Sequence, residues 1–107
     1  MSFSLEDLAQ IVSSRREAAA DKSYTKSLFE GGAPRIAKKF GEEAVETVIA
    51  ALGDDKAALT GEIADVLYHL LVLMEARGIS LADVLDELER RTAQSGFAEK
   101  AGRGDTR

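Results

Sequence analysis

The chain has 107 residues, a net charge of −5 and no cysteine. That length makes one domain with a modest core, which oligomerisation would help, and the acidic balance argues against a nucleic-acid binder held by phosphate contacts. Without cysteine there is no disulfide and no thiolate zinc site, which suits a reducing cytoplasm, and one histidine, His69, excludes a two-histidine metal motif.

The opening MSFSLEDLAQ lacks a basic region ahead of an apolar run, so no signal peptide is expected. The longest apolar stretch, Leu70 to Met74, is too short to span a bilayer, and no membrane partner is expected. Ser4 and Asp7 form a capping-box-like pair at the start of a first helix, which the spacing of Leu5, Leu8, Ile11 and Val12 carries to about Ala20. Asp21 to Ala33 follows as a loop containing DKSYTKSLFEGG, long for a helix connection and so a candidate functional loop. Pro34 suits the first position of a second helix reaching about Leu52, which Gly53 closes. Asp54 or Asp55 caps a third helix running to about Arg77 and ending at Gly78. Ser80, with Asp83 at the capping-box position, starts a fourth that runs to about Gln94. Residues 95–107 read as a flexible tail. No strand-like alternation is visible, so the fold class is all-α.

Leu70, Leu71, Val72, Leu73 and Met74 are consecutive and cover every direction around the third helix. A helix apolar all round is buried all round. A two-fold partner subunit is the simplest cover, against a central helix in a monomeric bundle.

The chemistry lies in GEEAVE on the second helix and EIAD on the third. At about 100° per residue, Glu42, Glu43 and Glu46 fall within roughly 100° of one another. Glu62 and Asp65 are one turn apart, with His69 continuing their stripe. GEEAVE alone is weak, because Lys38 and Lys39 stand four residues before Glu42 and Glu43 and ordinary surface ion pairs explain it. EIAD is harder to dismiss. Asp65 sits in the run IADVLYHLLVLM, which is expected to face protein, and no lysine or arginine lies between Lys56 and Arg77. A buried carboxylate needs a cation or must protonate. Oxygen-only donors point to a hard cation, magnesium with manganese as a substitute, and hence to a polyphosphate substrate. His69, alone in an apolar stretch, reads as a hydrogen-bonded core residue sooner than as a ligand.

The ExxE and ExxD pair resembles the signature of the MazG-like all-α pyrophosphatases. Within that group SYTKSLFEGG, IAKKFGEEAVE, EIADVLYHLLVLM and SGFAEKAGR resemble the phosphoribosyl-ATP pyrophosphatase family of histidine biosynthesis, over about Leu5 to Arg103. The resemblance implies a helical homodimeric bundle that hydrolyses phosphoribosyl-ATP to phosphoribosyl-AMP and pyrophosphate with magnesium. It implies Glu43, Glu46, Glu62 and Asp65 as metal-binding catalytic acids, with Glu42 as an additional ligand. It also implies substrate contacts at Ser23, Tyr24 and Thr25 of the SYT block, at Lys38 and Lys39, and at Lys100 and Arg103 of the tail. Some relatives are fused to a zinc cyclohydrolase, and the lack of cysteine implies the pyrophosphatase alone. Two other readings share the sequence: a housekeeping nucleoside-triphosphate pyrophosphatase with the same acids, and a non-catalytic helical dimer.

Overall fold

The computed structural model describes residues 2–17 and 24–93, and among them there are four helices and no strand. The first, α1 (Leu5–Arg16), starts on the expected cap: the Ser4 hydroxyl accepts from the Asp7 N–H and the Asp7 carboxylate from the Ser4 N–H, each at 3.0 Å. At its other end the Arg16 guanidinium donates to the Glu75 carbonyl at 3.0 Å and lies 5.0 Å over the Phe29 ring, tying α1 to both longer helices.

The second, α2 (Tyr24–Ala51), departs from the sequence expectation. Most of the stretch read as a loop is helical from Tyr24 onward. Thr25 and Leu28 are one turn apart and both buried, so this segment has an inward face of its own. The chain bends at Gly32, whose φ of 83° and ψ of 169° lie in a region open essentially to glycine alone. Pro34 then falls in the first turn of the next segment, where its missing N–H is no loss. The paired glycines disguise a kinked helix as a loop.

The third, α3 (Lys56–Ala76), is capped by Asp55, which accepts from the Ala58 N–H at 3.0 Å. It ends in a Schellman motif: Ile79 N–H bonds the Met74 carbonyl at 2.9 Å and Gly78 N–H the Glu75 carbonyl at 3.2 Å, with Gly78 at φ 71°. The last, α4 (Leu81–Thr92), is capped by Ser80, which accepts from the Asp83 N–H at 3.0 Å.

The short connection between α2 and α3 makes them antiparallel neighbours, and this hairpin is the largest helix contact in the fold. The core lies at one end of it. Val12 of α1, Leu28 and Ile36 of α2, Leu71, Val72 and Met74 of α3 and Leu81 of α4 are buried together, with Leu70 and Leu73 packed against them. The five consecutive apolar residues of α3 are therefore covered within one protomer, and they do not themselves require a partner. By length and composition α3 would suit a membrane span, yet its C-terminal half is core and its N-terminal half carries Glu62 and Asp65. The far end of the hairpin leaves apolar side chains uncovered, Val45, Val48, Ile49 and Leu52 on α2 and Ile63 and Leu67 on α3, and Ile79, Leu85 and Leu88 around α4 are exposed as well.

Candidate metal centre

The antiparallel hairpin brings GEEAVE opposite EIAD. Among the described residues Glu43, Glu62 and Asp65 form the converging group, each offering a carboxylate oxygen within 4.8 Å of the others. The order of depth is the reverse of the sequence expectation. Glu43 is buried, at 6% exposure, Glu62 is half-buried, and Asp65 is exposed. The reason is architectural: among the described residues the N-terminal half of α3 packs on α2, which leaves Asp65 at the edge of the group, while Glu43 is pressed into the helix–helix contact.

Two of these oxygens, Glu43 Oε1 and Glu62 Oε1, are buried without a hydrogen-bond partner among the described residues. Lys39 Nζ pairs with the other Glu43 oxygen at 3.3 Å, and this bond raises the lysine pKa above its ordinary value. One ammonium does not balance the cluster. The Glu62 carboxyl is held above the usual carboxylate range, first by burial, then by the negative charge of Glu46, Glu43 and Asp65, with a hydrogen bond to Glu46 adding to it. Glu46 is itself exposed, on the rim of the group. A buried anion without a partner costs several kcal/mol, roughly, unless it protonates or meets a cation. The donor set is oxygen only and acidic, which fits a hard divalent ion.

Thr47 was missed in the sequence and lies at the hinge of this arrangement. Its hydroxyl donates to the Glu43 carbonyl at 2.8 Å and also lies 3.2 Å from the Glu62 carbonyl. It spans α2 and α3 at the level of the acids. Nothing in a lone mid-helix threonine marks it for that position.

Beside the acids is a pocket of about 280 Å³ lined by Tyr24, Leu28, Arg35, Lys38, Lys39 and Glu42. Lys38 and Lys39 both line this pocket. Arg35 joins them and was not anticipated, although its spacing of three and four residues from the lysines puts all three on one helical face. Glu42 stands outside the converging group and faces this pocket. Thr25 is buried, and its hydroxyl bonds that of Tyr68 in the interior. Ser23, Lys100 and Arg103 lie outside the described residues.

His69 is a buried core residue, as the sequence indicates, with both ring nitrogens engaged. Nδ1 lies 2.8 Å from the Asp65 carbonyl and Nε2 lies 3.0 Å from the Tyr24 hydroxyl.

The class of protein is thus an all-helical one whose central hairpin gathers acids at its middle, beside a pocket lined by three basic residues. The family of phosphoribosyl-ATP pyrophosphohydrolases matches residues 5–92, all four helices. The phosphoribosyl-ATP pyrophosphatase of Sinorhizobium medicae is 54% identical over 101 residues, covering 94% of both chains. That of Agrobacterium fabrum is 55% identical over 101 residues, again 94% of both, and that of Azorhizobium caulinodans 56% identical over 99 residues, covering 92% of this chain and 91% of the relative. The chain belongs to the phosphoribosyl-ATP pyrophosphohydrolase family.

Proposed function

We propose that this chain is a single-domain, cytoplasmic phosphoribosyl-ATP pyrophosphatase. It hydrolyses phosphoribosyl-ATP to phosphoribosyl-AMP and pyrophosphate in histidine biosynthesis. The family membership supports the activity. The observation that carries the site is the pair of buried oxygens on Glu43 and Glu62, without hydrogen-bond partners among the described residues and beside Asp65.

In this reading Glu43, Glu46, Glu62 and Asp65 hold magnesium, or manganese in its place. Glu42 borders the same site from the pocket. A bound divalent ion would neutralise phosphate charge and acidify a water. The residues of the chain supply the rest. Arg35, Lys38 and Lys39 bind the oxygens of the phosphate chain and accept the growing charge of the departing pyrophosphate. One of the cluster carboxylates takes the proton from the attacking water as its oxygen bonds to phosphorus and the phosphoanhydride oxygen leaves. The protein acts as a homodimer, because the apolar stripe of α2 and α3 lies open beside the site in one protomer.

The test is pyrophosphate release by the purified protein with magnesium, from phosphoribosyl-ATP and from a panel of ordinary nucleoside triphosphates. Release from the first and little from the panel is expected. Equal turnover of the panel would make it a housekeeping pyrophosphatase, and no turnover of either would leave a non-catalytic helical protein. Asp65→Asn should abolish turnover while the helical circular dichroism stays intact; full activity in that variant would remove Asp65 from the metal site.

A further inference from the structure

His69 is buried in α3, one turn after Asp65, and does not join the carboxylate group. Its hydrogen bonds fix its chemistry. The Asp65 carbonyl, 2.8 Å from Nδ1, can only accept, so Nδ1 carries the proton. In the neutral ring Nε2 then has a lone pair and no hydrogen, so the Tyr24 hydroxyl, 3.0 Å away, is the donor. The two rings meet edge to face, with centroids 5.9 Å apart and planes at 90°.

Tyr24 opens α2 and is half exposed, yet it lines the basic pocket with Arg35, Lys38 and Lys39. Half of the ring is open to solvent. The bond to His69 supplies an anchor from the interior of a different helix. It also decides what the tyrosine offers. Its single proton is committed to His69, so its oxygen presents only lone pairs. Such an oxygen suits a hydroxyl or ammonium donor and repels phosphate oxygens.

We propose that His69 is a positioning residue that holds Tyr24 as a wall of the substrate pocket, with the Tyr24 oxygen kept as an acceptor for a sugar hydroxyl of the substrate. The inference rests on the reading of the Arg35–Lys38–Lys39 pocket as the place where the substrate binds. His69 acts through Tyr24 and not through the metal. Its effect therefore falls on KM.

The experiment is a double-mutant cycle on the full-length protein with phosphoribosyl-ATP and magnesium, using Tyr24→Phe, His69→Ala, the double variant and His69→Gln. Tyr24→Phe and His69→Ala should each raise KM by about three- to tenfold, the scale of one neutral hydrogen bond, with kcat little changed. The double variant should be no worse than either single one. His69→Gln, whose amide oxygen reaches the place of Nε2 and still accepts, should recover KM to within about twofold of the wild type. Additive losses, a fall in kcat in place of a rise in KM, or no rescue by glutamine would overturn the assignment. If His69→Ala does not fold, the comparison of His69→Gln with Tyr24→Phe decides: equal losses of KM overturn it, and loss in Tyr24→Phe alone supports it. Lys38→Ala separates this inference from the reading beneath it. An unchanged KM there removes the pocket, and the inference with it. A raised KM beside an additive cycle removes the role of His69 alone.

Discussion

Glu62 is pressed from two directions that a cation relieves together: burial disfavours its charge, and Glu46, Glu43 and Asp65 repel it. In metal-free protein its folded pKa therefore lies above the unfolded value of 4.5. A raised pKa means that the folded state prefers the protonated acid. The stability linked to Glu62 is present in full below the unfolded value and is lost as pH rises through the raised folded value. Glu62→Gln, which cannot ionise, should escape that loss. In a chelator, its melting temperature should exceed the wild type's at pH 7, and the gap should close as pH falls below about 4.5. Manganese should stabilise the wild type and leave the variant nearly unmoved. Calorimetry across pH, with and without the ion, checks both; a gap that does not vary with pH would remove the charge argument. The spacing of ExxE and ExxD singled out Glu43, Glu62 and Asp65, whose carboxylates converge in the fold. Their relative depth was not legible, because it depends on which half of α3 another helix covers, and no window of sequence around Asp65 contains that information.

At the level of elements, the caps at Ser4, Asp55 and Ser80 and the stop at Gly78 were readable, since each is a local hydrogen-bond pattern. The helical start of α2 was not readable. Gly31 and Gly32 look like a loop, and the inward face of Thr25 and Leu28 has meaning only against α3. Gly32 itself is the position that makes the kink, and a Cβ there is strained whatever space surrounds it. Gly32→Ala should cost about 1–3 kcal/mol in urea unfolding. A neutral substitution would mean that the bend is not fixed in solution. Thr47→Val tests the contact between the two long helices. It removes the hydroxyl that spans the Glu43 and Glu62 carbonyls while keeping the side-chain shape. The expected result is about 1 kcal/mol of lost stability together with weaker manganese binding by titration calorimetry. Unchanged affinity would show that the acids keep their spacing without it.

For the whole molecule, the distribution of polarity is inverted along half the hairpin. Glu43 of α2 faces α3, and the apolar side of the same helix faces water: Val45 is 58% exposed, Val48 61%, Ile49 63% and Leu52 85%. Their spacing of three, four and seven residues makes one stripe, and Ile63 and Leu67 of α3 are exposed as well. Folding alone does not explain this surface, because burial of each such side chain is worth about 1.5–3 kcal/mol that a lone protomer forgoes. A contiguous apolar patch of this kind marks an interface. A second copy is the natural cover: two hairpins related by a two-fold axis present the same stripe to each other and close a four-helix bundle. The sequence pointed to a partner through Leu70 to Met74, but those residues are buried in the core or packed against it, and the exposed stripe lies on the half of the hairpin that carries the acids. Light scattering should therefore give the wild type twice the 11.5 kDa of the chain. Val48→Asp should give the single-chain mass and lose pyrophosphatase activity, because an unpaired charge at such an interface is not accommodated. Phe3→Asp is the control, since Phe3 is 68% exposed but lies outside the stripe, and it should keep the dimer mass. Dimer mass in Val48→Asp, or monomer mass in the wild type, would exclude this interface. Monomeric Val48→Asp with full activity would preserve the interface and show instead that each protomer completes its own site.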